Sequence, residues 1–233
     1  MAAYEVISGI KHGVIVSCQS EGDDPFNLPE YMALFARAAE MGGACGIRAR
    51  QPENVRAVRA AVSLPVIGIT KGQFPDGTVL ITPDFQDVQD LIDVGAAIVA
   101  ADATERTRPN GLSGRQFLSE CRKRWDIPLM ADISTLQEGL AAEEEGINLI
   151  GTTLAGYTSY SKKSSEDEPD WELLKALVGR AKMPIIAEGR IWTSAQAQKA
   201  LELGAYAVVV GTAITRPRLV TRRFVDALRP RSP

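Results

Sequence analysis

Short apolar runs alternate with helical runs along the whole chain, and this alternation limits the fold more than any other feature. Eight runs read as strands, at residues 14–17, 44–48, 66–69, 97–101, 129–131, 148–151, 185–187 and 207–210. They are almost continuously apolar, which is the pattern of strands covered on both faces. Between and after them, eight segments carry helical character, at residues 29–41, 52–62, 85–94, 114–125, 136–145, 171–181, 194–203 and 217–228. Strands that alternate with helices in this way pair in parallel. Two helices open with capping boxes, Thr135-Leu136-Gln137-Glu138 and Thr193-Ser194-Ala195-Gln196. In each, a hydroxyl and a carboxyl or amide three residues later satisfy donors that the first turn leaves free.

An internal repeat narrows the choice further. Helix ends reading Met41-Gly42-Gly43-Ala44, Val94-Gly95-Ala96, Glu145-Gly146-Ile147 and Leu203-Gly204-Ala205 recur along the chain, each with a glycine suited to the left-handed position that closes a helix. The intervening strands open with Leu64-Pro65-Val66-Ile67, Ile127-Pro128-Leu129-Met130 and Met183-Pro184-Ile185-Ile186. The repeat spans two βα units, and four such pairs make eight. Eight units in 233 residues leave roughly 29 residues for each, which suits a compact (β/α)8 barrel. The sequence thus predicts an α/β fold, a single (β/α)8 TIM barrel over residues 1–228 with a short tail at 229–233. A doubly wound open sheet is the competing arrangement, but the glycine-rich first turn that usually marks it is missing.

Composition removes several function classes. With 26 basic and 29 acidic side chains the net charge is −3, which gives no global attraction to nucleic acid or to an anionic membrane. The longest apolar stretches run about seven residues, against the roughly 20 needed to span a bilayer. The N-terminus lacks a basic region followed by an apolar core, so no signal peptide is expected. Cys18, Cys45 and Cys121 show no CxxC spacing and suit reduced thiols in a cytoplasm. No His, Cys or Asp cluster has metal-ligand spacing, so neither metal nor cofactor is expected.

In a barrel of this kind chemistry gathers at the carboxyl ends of the strands. In order, the eight apolar runs stop at Cys18-Gln19, Arg48, Thr70-Lys71, Asp102-Ala103-Thr104, Asp132-Ile133-Ser134, Thr152-Thr153, Glu188-Gly189-Arg190 and Gly211-Thr212. Charged groups that follow buried strands cost free energy unless paired or used, so they are expected to converge on one site. Lys71 and Glu188 end strands four apart and face each other across the mouth. They either move a proton between them, act on different parts of one substrate, or close the barrel top as a salt bridge. Proximity to Arg48 and desolvation would ease deprotonation of Lys71. Asp132 either orients a substrate group or neutralises Lys71, and Arg48 either holds an anionic oxygen or pairs with Asp132 or Glu188. Gly189, Arg190, Gly211 and Thr212 follow strands seven and eight, where backbone N–H groups commonly cradle a phosphate, although a plain turn is the simpler reading. His12 precedes the first strand, at the wrong end for chemistry. Cys18, without a histidine, is expected to be a packed thiol. Tyr157 and Tyr160 either close over a ligand or pack locally.

The strand ends occur within longer motifs: Ile15-Val16-Ser17-Cys18-Gln19, Gly46-Ile47-Arg48-Ala49, Pro65-Val66-Ile67-Gly68-Ile69-Thr70-Lys71 and Met130-Ala131-Asp132-Ile133-Ser134-Thr135. Gly151-Thr152-Thr153-Leu154-Ala155-Gly156-Tyr157-Thr158, Ile186-Ala187-Glu188-Gly189-Arg190-Ile191 and Val209-Val210-Gly211-Thr212-Ala213-Ile214-Thr215-Arg216-Pro217 extend them. Together, from about Gly9 to Leu228, the chain resembles the N-acetylmannosamine-6-phosphate 2-epimerases of sialic acid catabolism. The resemblance implies a barrel isomerase that interconverts N-acetylmannosamine 6-phosphate and N-acetylglucosamine 6-phosphate without metal or nucleotide. It implies Lys71 as the principal proton-transfer group, Glu188 as its acidic partner, and Gln19, Arg48, Asp132 and Arg190 around the sugar. The expected partner is this amino-sugar phosphate, with no nucleic acid and no membrane, in a cytoplasmic homo-oligomer, a dimer. Two positions depart from the family pattern: Gly72 stands where a basic residue is expected, and Gly211-Thr212 where Gly-Gly is common. A barrel that binds a sugar phosphate for another reaction, or a sensor without turnover, is the alternative. Ribulose-phosphate epimerases normally carry histidine and aspartate metal ligands, which one misplaced histidine does not supply.

Overall fold

The computed structural model describes residues 3–74, 78–161 and 168–229. In chain order its strands are β1 (Val14–Cys18), β2 (Gly46–Arg50), β3 (Val66–Ile69), β4 (Lys71–Gln73), β5 (Val79–Ile81), β6 (Ile98–Asp102), β7 (Leu129–Asp132), β8 (Leu149–Gly151), β9 (Ile185–Glu188) and β10 (Ala207–Val210). Eight of these close into one parallel barrel in the order β1-β10-β9-β8-β7-β6-β3-β2, which excludes the open doubly wound sheet. All eight expected strands are present. Several run past the end of their apolar run, to Cys18, Arg50, Asp102, Asp132 and Glu188. The backbone ladder continues there because partners remain in register, as in Ser17 opposite Arg48 and Asp102 opposite Asp132. An apolar pattern cannot reveal strand residues whose polar side chains are satisfied inside the barrel.

The helices are α1 (Ala3–Gly9), α2 (Pro29–Met41), α3 (Pro52–Ala61), α4 (Phe85–Asp93), α5 (Gly114–Arg124), α6 (Leu136–Glu144), α7 (Trp171–Arg180), α8 (Ser194–Glu202), α9 (Thr212–Thr215) and α10 (Pro217–Leu228). The capping boxes at Thr135 and Thr193 form, and Asp84 and Ser113 make two more at the starts of α4 and α5. Each is expected to stabilise its helix by about 1 kcal/mol. Gly43, Gly95, Gly146 and Gly204 take φ values of 86°, 86°, 72° and 99°, so the recurrent helix-end glycines occupy the left-handed region.

Strand alternation divides the core in two. One face of the strands, with Val16, Ile47, Val99, Ala131, Ile150, Ala187 and Val208, packs against the helices. The other fills the barrel with Ile15, Ile67, Ile69, Ile98, Met130, Leu149, Ile186 and Val209. Val6 and Ile10, from α1 and the turn after it, join this inner cluster and are buried. Two further elements lie outside the eight-unit reading: the short helix α9, and the antiparallel hairpin β4–β5 that follows β3 and begins with Lys71. The outer helix α10 is also distinctive, because it buries no residue and leaves Phe224, Val225 and Leu228 exposed. Of the expected tail only Arg229 falls within the described residues. Among the described residues, no helix is long and apolar enough to cross a membrane.

Candidate active site

Arg48 is the largest fully buried side chain, and its guanidinium joins three strands inside the barrel mouth. It donates from Nη1 to Asp132 Oδ1 at 3.2 Å and from Nη2 to Asp132 Oδ2 at 2.6 Å, a two-pronged contact that fixes both planes. Nη1 also lies 3.1 Å from Glu188 Oε2. Burial works against the guanidinium charge, but Asp132 and Glu188 more than offset it and hold Arg48 above its ordinary proton affinity. The ion pair expected of Arg48 is formed, with both Asp132 and Glu188. Asp132 therefore neutralises Arg48 rather than Lys71, because the in-register strands bring its carboxylate to the guanidinium.

One cation facing two carboxylates leaves an excess of negative charge. Burial pushes the Glu188 carboxyl up to about 7, Asp132 adds to that effect, and Arg48, Thr153 and Lys71 oppose it. Thr153 Oγ1 lies 2.6 Å from Asp132 Oδ1 and 3.2 Å from Glu188 Oε2. Its single proton goes to the nearer carboxylate, which leaves its oxygen able to accept from a protonated Glu188. Gly151 makes room for this arrangement: a Cβ there would meet the Met130 methyl and approach Asp132 Oδ1 to 3.1 Å.

Lys71 is held differently from the sequence expectation. Among the described residues no ion pair joins it to Glu188. Its ammonium instead lies 2.5 Å from Glu21 Oε1, in the loop after β1. Strand opposition directs Lys71 towards the mouth, but the adjacent loop supplies a carboxylate that reaches Nζ directly. Desolvation holds Lys71 below its ordinary value, Glu21 opposes this, and Arg216 and Arg50 reinforce it. The like charges acting on Lys71 are thus these two arginines, in place of the expected Arg48. Gln19 is buried and donates from Nε2 to Ser17 Oγ at 2.6 Å, while its carbonyl accepts from Arg216 Nε at 3.1 Å.

The loops after β9 and β10 carry the remaining candidates. Gly189 and Arg190 have φ values of 103° and 57°, a left-handed pair that turns the chain sharply after Glu188. Arg190 Nη1 donates to the Ala155 carbonyl at 2.6 Å, and its guanidinium sits 4.3 Å over the Tyr157 ring. Gly211 precedes α9, and Thr212 is the first residue of that helix. Thr215 Oγ1 donates to the Ser17 carbonyl at 2.7 Å and ties α9 to β1. Tyr160 bonds to the buried Glu138 at 2.8 Å, so it packs locally. Cys18 is fully buried, and desolvation pushes its thiol up to about 12, as expected of a packed cysteine. His12 sits in the turn before β1. Among the described residues no group of three or more His, Cys, Asp and Glu could hold a metal ion.

Comparison with known proteins gives these groups a common setting. A family model described as "Putative N-acetylmannosamine-6-phosphate epimerase" matches residues 32–230. The chain belongs to this family. A relative from Caldanaerobacter subterraneus, named "Putative N-acetylmannosamine-6-phosphate 2-epimerase", is 48% identical over 228 residues, covering 97% of this chain and 95% of the relative. One of the same name from Clostridium perfringens is 43% identical over 220 residues, covering 94% and 98%. A solved N-acetylmannosamine-6-phosphate 2-epimerase from Clostridium perfringens superposes with a TM-score of 0.89 at 42% identity, covering 95% of this chain and 96% of that one. A thiamine phosphate pyrophosphorylase from Pyrococcus furiosus, at 16% identity and a TM-score of 0.61, shares the fold alone.

Within this epimerase-family barrel, Arg48, Asp132 and Glu188 meet in one cluster and Lys71 stands apart with Glu21. Two participants escaped the sequence reading as site residues. Glu21 lies in the polar run Ser20-Glu21-Gly22-Asp23-Asp24, which reads as a solvated loop, and Arg216 precedes a surface helix. The available signal was position, because both follow barrel strands at the carboxyl face that bears Lys71.

Proposed function

We propose that this chain interconverts N-acetylmannosamine 6-phosphate and N-acetylglucosamine 6-phosphate by proton transfer at C2. The observation that carries the reading is Glu188, a buried carboxyl with a proton affinity near neutrality, at the same barrel mouth as a desolvated lysine. A carboxyl that can hold or release a proton near neutral pH, and a lysine whose ammonium burial disfavours, suit a reaction in which one proton leaves and returns. Family membership supports the choice of sugar.

The chemistry follows from the substrate. The C2–H bond becomes acidic only when it lies next to the C1 aldehyde, so the ring must open first. Neutral Lys71 takes the C2 proton, the electron pair moves into a C1–C2 double bond, and charge collects on the C1 oxygen. Arg48, fixed by Asp132, stabilises that charge directly or through a hydrogen bond. A proton returned to the opposite face of C2 gives the epimer, from Lys71 or from Glu188. Gln19 and Arg190 contact the sugar. Gly189, Arg190, Gly211 and Thr212 hold the phosphate, far enough from C2 that its binding energy serves orientation. The overall change is redox-neutral and transfers no group, so the reading assigns no cofactor.

The same proposal includes a homodimer and a cytoplasmic setting. Exposed Phe224, Val225 and Leu228 on α10 support the first, and three free cysteines support the second. Incubation with N-acetylmannosamine 6-phosphate, followed by proton NMR, tests the function. The expected result is the C2 epimer, with unphosphorylated N-acetylmannosamine converted at least a hundredfold more slowly. Binding of the phosphate ester without conversion would favour a sensor, and equal conversion of the two sugars would remove the phosphate loops from the account.

A further inference from the structure

We infer that Glu21 is the positioning residue for Lys71: anchored by Arg216 at the same oxygen, its carboxylate holds the lysine amine at the mouth and keeps it protonated until substrate displaces the contact. The inference rests on the epimerase reading, in which Lys71 acts on C2.

The geometry is a chain of charges running from the outer helix to the proposed base. Glu21 Oε1 lies 2.5 Å from Lys71 Nζ and 3.4 Å from Arg216 Nη2. Arg216, which precedes α10, also donates from Nε to the Gln19 carbonyl at 3.1 Å. Two residues on, Arg218 lies 2.8 Å from Asp23 Oδ1 and 3.4 Å from Asp24 Oδ2. The loop that carries Glu21 is therefore fastened to the start of α10 at two points, so its carboxylate is directed at Lys71 while it keeps partial access to water. The Lys71 backbone N–H donates to Gln51 Oε1 at 3.2 Å, which fixes the other end of the lysine.

The charges that bear on Lys71 come from four parts of the molecule. The loop after β1 supplies Glu21, β2 supplies Arg50, the residue before α10 supplies Arg216, and β9 supplies the more distant Glu188. Burial disfavours the ammonium, and Glu21 opposes that effect most strongly, while Arg216 and Arg50 add to it. Burial also acts against the Glu21 charge, yet Lys71, Arg216 and Arg50 together hold this carboxyl below its ordinary value. The contact is not sealed: the side chains are 25% and 41% exposed, so it can part without unfolding. When it parts, the ammonium loses the carboxylate that favours its charge and releases its proton to water. The amine left behind faces two arginines and a desolvated site, and all three favour the neutral form that takes a proton from carbon.

Glu21→Gln and Glu21→Asp, studied in the full chain, test this with two readouts. The first is the pH profile of kcat/KM for N-acetylmannosamine 6-phosphate. The second is competitive acylation of the free enzyme by trace acetic anhydride, with Lys71 modification followed by peptide mass spectrometry across pH. Glu21→Gln is expected to move the Lys71 midpoint about one pH unit towards acid in both, giving roughly tenfold more reactive amine below the wild-type midpoint. Glu21→Asp, which keeps the charge, is expected to restore the wild-type midpoint. An acylation midpoint that stays in place or moves upward in Glu21→Gln overturns the inference, even if the enzyme epimerises its substrate. A midpoint that shifts in an enzyme without epimerase activity keeps the ion-pair role and refutes the epimerase reading alone.

Discussion

Glu188→Gln is expected to make the protein more stable while removing its activity. In the folded chain, burial and Asp132 push Glu188 up to about 7, whereas an unfolded glutamate titrates near its ordinary value of 4.5. A carboxyl raised in this way favours the folded state fully below the unfolded value, and the advantage is lost as pH rises through the folded value. A difference of about 2.5 pH units at roughly 1.36 kcal/mol each gives a cost of about 3 kcal/mol at pH 8 and under about 1 kcal/mol at pH 5. Glutamine keeps the shape of the protonated acid and carries no charge to desolvate, so the variant escapes that cost. Urea unfolding at both pH values measures the effect. The variant's unfolding free energy should exceed that of wild type by about 2–3 kcal/mol at pH 8, with a raised midpoint and unchanged slope, and the gap should nearly close at pH 5. If the variant were less stable than wild type at pH 8, or the gap independent of pH, Glu188 would be a stabilising ionised partner of Arg48 and the reasoning would fail.

Three further outcomes follow from the same contacts. Arg48→Met leaves the buried carboxylates of Asp132 and Glu188 without their cation, so a loss of about 3–5 kcal/mol at pH 7 is expected in urea unfolding, smaller at pH 5 where Glu188 is protonated. Gly151→Ala puts a methyl group against Asp132 and Thr153, and steady-state kinetics should show at least a tenfold lower kcat with a stability loss of about 1–3 kcal/mol. Phe224→Glu places a charge on the exposed apolar face of α10, so on the proposed homodimer light scattering should report a dimer for the wild type and a monomer for the variant.

The eight-unit barrel was legible because its strands are buried on both faces and its helices end on glycine. Periodicity and composition both record burial of that kind. The inner ends of the strands were legible as a list of charged residues, and the Arg48 pairing as one alternative, but the partner of Lys71 was not. Strand order implied that Lys71 and Glu188 face each other, yet pairing depends on side-chain reach, and Glu21 reaches Nζ from the neighbouring loop. The hairpin β4–β5 escaped notice because three-residue strands carry no period. Helix α1 was equally silent, although Val6 and Ile10 stand four residues apart and join the inner core. For Glu188 the sequence offered pairing with Arg48 as one alternative, but not that Asp132 takes the same guanidinium and adds to the upward push on the Glu188 carboxyl.

The central claim is that Lys71 moves the C2 proton, and isotope exchange in Lys71→Met tests it most directly. In deuterium oxide, wild-type enzyme is expected to place deuterium at C2 of N-acetylmannosamine 6-phosphate as the epimer forms. Lys71→Met should show no exchange above background while it keeps its fold and its affinity for the phosphate ester. C2 exchange in that variant at a rate near wild type would contradict the assignment, whatever the family of the chain.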